Sequence, residues 1–76
     1  MKEFEVGKTY RVQGLKGETI TITKRTKCFV TFTGSYEGRK KIGRYFENGL
    51  FGLGEHILID FPGKPYGLFT HAAWEV

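Results

Sequence analysis

Apolar and polar residues alternate along several short stretches of the chain. In ETITITKR, residues 18–25, isoleucine recurs at every second position as Ile20 and Ile22, and KCFVTFT, residues 27–33, repeats the alternation. A period of two residues is typical of a β-strand with one buried face, and no stretch sustains the 3.6-residue period of an amphipathic helix. The pattern therefore predicts an all-β chain.

Six stretches rich in Val, Ile, Thr, Phe and Tyr are separated by turns that contain glycine. Short strands at this spacing indicate a small, strongly bent antiparallel sheet of five to six strands, arranged as a barrel or a sandwich. The length of 76 residues predicts a single domain over residues 1–76, because two cores would each be too small to support themselves. The predicted strands are residues 9–14, 18–25, 27–33, 39–46, 55–60 and 67–73.

The side chains of the central hairpin favour one register. Pairing Ile22 with Val30 across a three-residue loop places the large apolar side chains of both strands on one side and threonines on the other. A two-residue loop would mix apolar and polar side chains on both sides. The first register is therefore preferred, and it places Phe29 on the outer side.

The next strand extends this sheet. Pairing Val30 with Ile42 keeps the apolar side continuous across the third and fourth strands. The outward positions of the fourth strand are then Arg39, Lys41 and Tyr45. Lys40 and Arg44 point inward and reach solvent at the sheet margin. The predicted core consists of Val12, Ile20, Ile22, Val30, Phe32, Ile42, Ile57 and Ile59.

Positive charge is concentrated in the first part of the chain. Residues 1–45 contain eleven Lys and Arg against four Glu, and residues 46–76 contain one Lys against four acids, so the net charges of the two parts are +7 and −3. Cationic side chains bind phosphates, and aromatic rings stack on unpaired bases. Since the outer face carries both, we expect a non-catalytic nucleic-acid-binding module. Its predicted contact residues are Arg25, Lys27, Phe29, Arg39, Lys41 and Tyr45.

Two other interpretations stay open. Any antiparallel sheet with one buried side shows polar and basic residues on the other, so a solvent-exposed face without a ligand predicts the same pattern. The apolar loop GLFGL, residues 49–53, together with a sheet edge instead predicts a protein interaction module or a small homodimer. The predicted contact residues of that alternative are Leu50, Phe51 and Leu53.

The sequence contains no catalytic or metal-binding pattern. Nucleophilic catalysis would require Cys28 beside His56 or His71, and Cys28 is expected instead on the inner face as an ordinary small buried thiol. Glu55 and Asp60 are five positions apart on one strand and on opposite faces, which does not suit a catalytic pair. We expect His56 to face solvent and His71 to bond a backbone carbonyl, and their spacing is not that of a zinc site. The chain is therefore predicted not to be an enzyme and to use no metal or cofactor.

The single cysteine also bears on localisation. One cysteine cannot form an intrachain disulfide, which favours a reducing compartment. The N-terminal MKEFEVGKTY has no apolar run of signal-peptide length, and no stretch reaches the ~18 apolar residues that span a bilayer. We therefore expect a cytoplasmic protein with no membrane association.

The motifs GKTY, TITITKRT, VTF, RKKI and GEHILID occur in this order within residues 7–73. Together they resemble short uncharacterised proteins of Gram-positive bacteria and of their phages and mobile elements. Such proteins look like SH3-like small barrels, so the resemblance implies an SH3-like β-barrel over nearly the whole chain. It implies no activity, because these proteins have no established activity and none of the shared motifs is catalytic.

Overall fold

The computed structural model describes residues 2–13, 17–45 and 54–76, which form seven β-strands and one short 3-10 turn at Ala72–Trp74. The prediction of an all-β chain is confirmed, and the described part of the chain contains no α-helix. The strands are β1 (Thr9–Arg11), β2 (Thr19–Arg25), β3 (Phe29–Gly34), β4 (Gly38–Lys41), β5 (Gly43–Tyr45), β6 (Gly54–Asp60) and β7 (Gly67–His71).

The strands form two antiparallel sheets, with the order β1-β2-β3-β4 in the first and β5-β6-β7 in the second. The predicted strand 39–46 is divided at Ile42, where the chain passes from the first sheet to the second. The buried Ile42 donates its backbone N–H to the carbonyl oxygen of Cys28 at 2.7 Å. This bond lies just beyond the last ladder pair of β3 and β4 and completes their pairing.

The register of the β2–β3 hairpin differs from the predicted one. Ile22 pairs with Phe32, not with Val30, so the strands are displaced by two residues. Because side chains alternate with a period of two, this displacement leaves the same residues on each face. An irregularity between Ile22 and Lys24 then changes the phase of β2, as a β-bulge does, and Arg25 pairs with Val30.

The β3–β4 pairing is also displaced by two residues. Val30 pairs with Lys40, where Ile42 was predicted, while Phe29 pairs with Lys41 and Thr31 with Arg39. The displacement is again by an even number of residues, so Arg39 and Lys41 keep the outward direction that was predicted for them. The first sheet therefore presents these cations beside an aromatic ring.

Backbone hydrogen bonds connect β1 to the second sheet and to the C-terminus. Gln13 donates its N–H to the carbonyl oxygen of Phe69 in β7 at 2.9 Å, and Val76 donates its N–H to that of Thr9 at 2.9 Å. These bonds occupy polar groups at the edge of β1 that would otherwise be open to pairing with another chain.

The N-terminal segment packs against the start of β6. Lys2 forms a parallel bridge with Gly54, and Glu55 donates its backbone N–H to the carbonyl oxygen of Lys2 at 3.0 Å. The ring of Phe4 meets the buried ring of Tyr10 edge to face, with the centroids 5.0 Å apart. This geometry is favourable for aromatic pairs beyond the apolar area that they bury.

The core lies between the inner faces of the two sheets. All eight residues predicted for it are buried, which confirms that part of the prediction. Six of them lie at alternating inward positions of β2, β3 and β6, and Val12 and Ile42 directly follow β1 and β4. The core also contains Phe4, Tyr10, Leu68 and Ala72.

Candidate functional site

The outer face of the first sheet brings three exposed cations and an aromatic ring together. Lys24 on β2 aligns with Thr31 on β3, which in turn aligns with Arg39 on β4. One pair further along, Phe29 aligns with Lys41. Neighbouring strands lie about 4.8 Å apart, so these side chains stand within reach of one another. We call the set Lys24, Phe29, Arg39 and Lys41 the basic face.

Lys24 takes the outward position that was predicted for Arg25. The bulge after Ile22 changes the phase of β2, which turns Arg25 to the side of Val30 and Lys24 to the side of Thr31. The predicted outward placement of Arg25 is therefore wrong. One signal was present in the sequence: strict alternation after Ile22 would have directed the charged Lys24 toward the core.

Arg25 instead binds a buried carboxylate. The Glu55 side chain is only 1% exposed, and its two oxygens accept hydrogen bonds from the Arg25 guanidinium at 2.6 and 2.8 Å. Arg44 donates a third bond to this carboxylate at 3.0 Å, and the backbone N–H of Phe4 donates a fourth at 2.8 Å. Arg25 also donates to the carbonyl oxygen of Phe4 at 2.6 Å. The side chain of Arg25 thus ties the N-terminal segment to the sheets.

The electrostatics of this cluster favour the ionised carboxylate. Burial alone raises the pKa of Glu55, but the hydrogen bonds from Arg25 and the Phe4 N–H, together with the charges of Arg25 and Arg44, outweigh burial and lower that pKa below its ordinary value. The hydrogen bond to Glu55 correspondingly raises the pKa of Arg25. Glu55 is therefore a structural anion, and two cations of the first half of the chain are used to neutralise it.

Two acids of β6 pair with the two cations that were predicted to point inward. Lys40 contacts Asp60 at 2.8 Å, and Arg44 contacts Glu55. Within residues 2–13, 17–45 and 54–76, no ion pair involves the three cations of the basic face or Lys27. The positive charge of this surface is therefore not neutralised by a direct ion pair with a described acid.

Arg39 lies over the ring of Phe29. Its guanidinium carbon is 4.0 Å from the ring centroid, which is well within the range of a cation–π contact. Beside this pair lies a shallow groove of about 400 Å³. The groove is lined by Lys24, Arg25, Thr26, Phe29, Thr31 and Arg39. The groove has Lys24 on one side and Arg39, which lies over the Phe29 ring, on the other. This arrangement suits a flat, negatively charged ligand.

The turn between β2 and β3 lies at one end of the basic face. The hydroxyl of Thr26 accepts the N–H of Phe29 at 3.1 Å, and Arg44 donates to the carbonyl oxygen of Lys27 at 2.9 Å. Both Lys27 and Cys28 are exposed in this turn. The prediction of a buried Cys28 thiol is wrong, because Cys28 precedes β3 and is not held in the alternation of that strand.

Tyr45 is separated from the basic face by the change of sheet at Ile42. Its backbone pairs with that of Gly54 in β6, so it belongs to the second sheet and does not follow Lys41 in phase, as had been predicted. The three residues predicted for a protein interface, Leu50, Phe51 and Leu53, lie outside the described residues.

The two histidines lie on neighbouring strands. His56 is paired with His71, and the His56 ring stacks on Phe69 with the centroids 5.1 Å apart. Burial lowers the pKa of His56, and the charge of His71 lowers it further. His56 is thus partly buried, contrary to the solvent-facing position expected for it.

His71 has a structural contact of its own. Its Nδ1 accepts the backbone N–H of Ala73 at 2.9 Å, where a bond to a carbonyl had been expected. This bond caps the 3-10 turn that follows β7. Among the residues described, no three His, Cys, Asp or Glu side chains are grouped so that they could hold a metal ion.

Comparison with known proteins gives no match: no family model, curated protein or solved structure is significantly similar to the chain. In the part of the chain that the structure describes, no helix is both long enough and apolar enough to cross a membrane. Any function must therefore be argued from the geometry of the surface.

Proposed function

We propose that the chain is a non-catalytic module that binds nucleic acid through the basic face, with Lys27 as a further contact in the adjoining turn. The observation that carries this proposal is the alignment of Lys24, Arg39 and Lys41 around Phe29 with no ion pair to a described acid. Unpaired cations contribute to binding by displacing the counterions of phosphates. Phe29, with the Arg39 guanidinium over its ring, adds a planar surface on which bases can stack.

The proposal changes the predicted contact set in two places. Lys24 replaces Arg25 as the outward cation of β2, because Arg25 is bound to Glu55. Tyr45 is no longer included with Phe29, because its backbone belongs to the other sheet. Phe29, Arg39, Lys41 and Lys27 keep their proposed roles.

The proposal includes a single domain over residues 1–76 whose two sheets close into an SH3-like barrel. The backbone bonds from Gln13 to Phe69 and from Val76 to Thr9 support closure on one side, and the passage of the chain through Ile42 supports it on the other. A cytoplasmic location and an origin in Gram-positive bacteria or their phages stay predictions from the sequence.

Binding to a fluorescein-labelled mixed-sequence single strand tests the function. Changing Lys24 and Lys41 together to Glu should weaken binding by at least tenfold at low ionic strength and reduce its salt dependence, since each lost phosphate contact removes about 0.7 from the log–log slope. The matched control changes Lys2 and Lys64 to Glu, which alters the net charge of +4 by the same amount away from the basic face. No binding by the wild type at low salt, or equal losses in the two variants, would refute the proposal.

Exposed apolar residues support a second candidate, a protein interaction module or small homodimer. Leu58 is 58% exposed and Tyr66 is 57% exposed. Leu58 borders a cleft of about 410 Å³ between β4 and β6. This candidate predicts a mass that rises with protein concentration, and Leu58→Ser and Phe51→Ser should each abolish the rise. A constant monomer mass up to high concentration, with no partner bound, would count against it.

A further inference from the structure

The contact between Arg39 and Phe29 bears on which form of nucleic acid the basic face would accept. Because the guanidinium carbon lies 4.0 Å from the ring centroid, Arg39 covers the face of the ring beneath it. The Arg39 side chain is exposed, and its guanidinium forms no hydrogen bond or ion pair with any residue that the structure describes. The guanidinium is planar and weakly hydrated, so its outer side can itself serve as a stacking surface.

The groove beside this contact is open between two cations. Lys24 and Arg39 are two strands apart, a separation of about 10 Å between their backbones, and Thr31 lies between them. The short side chain of Thr31 leaves a depression of about 400 Å³, with Lys24 on the far side. A flat group can enter this space against Arg39 while the ammonium of Lys24 contacts an adjoining phosphate.

We propose that the groove between Lys24 and Arg39 is a subsite for one unpaired nucleobase, which stacks on the Arg39 guanidinium that Phe29 supports. The inference rests on the proposed function and makes it more specific, since it selects single-stranded over double-stranded nucleic acid. In a duplex the faces of each base are already covered by the neighbouring base pairs, and only the edges are accessible in the grooves. A stacking subsite therefore requires an unpaired base.

Two labelled strands of about ten nucleotides, a length within the range that small β-barrel domains bind, separate base contacts from phosphate contacts. One is oligothymidylate, and the other is an abasic strand with the same number of phosphates. The wild type should bind oligothymidylate roughly tenfold more tightly, since one base–side-chain stack typically contributes a factor of this size. A ten-base-pair duplex has no accessible base face, so its competition should be the same for the wild type and for Arg39→Lys.

Arg39→Lys is the diagnostic variant, because it keeps the charge and removes the planar group. It should reduce the preference for oligothymidylate to less than threefold and leave the salt slope unchanged. Phe29→Leu should act in the same direction, because it removes the support of the guanidinium. Lys24→Gln, the matched control, should lower the salt slope by about 0.7 and keep the preference for bases. Far-UV circular dichroism of every variant verifies that it is folded.

The outcomes distinguish the two proposals. If the wild type binds both strands equally, or if Arg39→Lys retains the preference for bases, the subsite is refuted and nucleic-acid binding through phosphates stands. If neither strand binds at low salt, the proposed function fails, and the subsite fails with it.

Discussion

Glu55→Gln should destabilise the fold strongly, although Glu55 lies outside the basic face. The carboxylate is 1% exposed and accepts four hydrogen bonds, two from Arg25, one from Arg44 and one from the N–H of Phe4. An amide supplies one acceptor oxygen and turns an N–H₂ donor toward the remaining N–H groups. The variant therefore loses charge-assisted bonds and leaves two guanidinium groups without their counterion.

The size of the effect follows from burial. Removing one partner of a buried ion pair typically costs about 3 to 5 kcal/mol. The side chains of Arg25 and Arg44 are 22% and 32% exposed, so water can solvate part of their charge, and the expected loss lies at the lower end. We expect about 3 kcal/mol of unfolding free energy, which lowers the Tm of a chain of this size by roughly 12 to 24 °C.

Urea unfolding followed by Trp74 fluorescence and circular dichroism measures this loss. Asp60→Asn is the matched control, because Asp60 is also an acid of β6 in an ion pair, but its side chain is 89% exposed. That control should cost less than about 1 kcal/mol. If Glu55→Gln cost no more than Asp60→Asn, the structural role assigned to the buried carboxylate would be wrong.

The same variant should change the pH dependence of stability. The pKa of Glu55 is lowered in the folded state, so its contribution is complete above the ordinary glutamate pKa of 4.5 and is lost as the pH falls through the lower folded value. The wild type should therefore lose stability more steeply than Glu55→Gln below about pH 4.5. Parallel profiles in urea titrations at pH 3 to 7 would contradict this assignment.

Three further predictions concern other parts of the fold. Arg25→Gln should cost about 2 to 3 kcal/mol of unfolding free energy, whereas Lys24→Gln should change it by less than about 0.5 kcal/mol; equal losses in urea unfolding would contradict the bulge. Burial lowers the pKa of His56 in the folded state, so the contribution of neutral His56 to stability is complete above pH 6.5 and declines as the pH falls below 6.5. His56→Gln should reduce this decline in urea unfolding. Identical pH profiles of the wild type and the variant would refute the prediction. Gly54→Ala should cost about 2 kcal/mol or more, because Gly54 has a φ of +155° and the added Cβ would lie 2.6 Å from the Cε1 atom of His71; an unchanged Tm would refute this contact.

The even displacements explain why the faces were predictable while the register was not. Ile22 pairs with Phe32 where Val30 was predicted, and Val30 pairs with Lys40 where Ile42 was predicted. A pleated strand assigns its side chains to faces by parity, so a displacement by two residues leaves both faces unchanged. Apolar side chains at neighbouring even displacements bury similar surfaces, which is why hydrophobic patterning alone did not select between them.

The sequence did not predict that the strand 39–46 is divided into β4 and β5. Residues on both sides of Ile42 have strand-forming patterns, and the change from one sheet to the other occurs where the N–H of Ile42 bonds to Cys28. That bond depends on where β3 begins relative to β4. The position of Tyr45 could therefore be derived only once the strand pairing was known.

The sequence by itself determined that the chain is β-structured, that the eight predicted core side chains are buried, and that Phe29, Arg39 and Lys41 share an outer face. Each of these follows from alternation, which is a local property of a pleated strand. The tertiary structure alone decided that Lys24 aligns with Thr31 on the outer face and that Arg25 turns to the side of Val30. The partner that Arg25 meets there is Glu55, 30 positions away in the chain. A buried charge needs a counterion close to it in space. That counterion can come from any part of the chain, so the residues next to Arg25 in the sequence do not identify it.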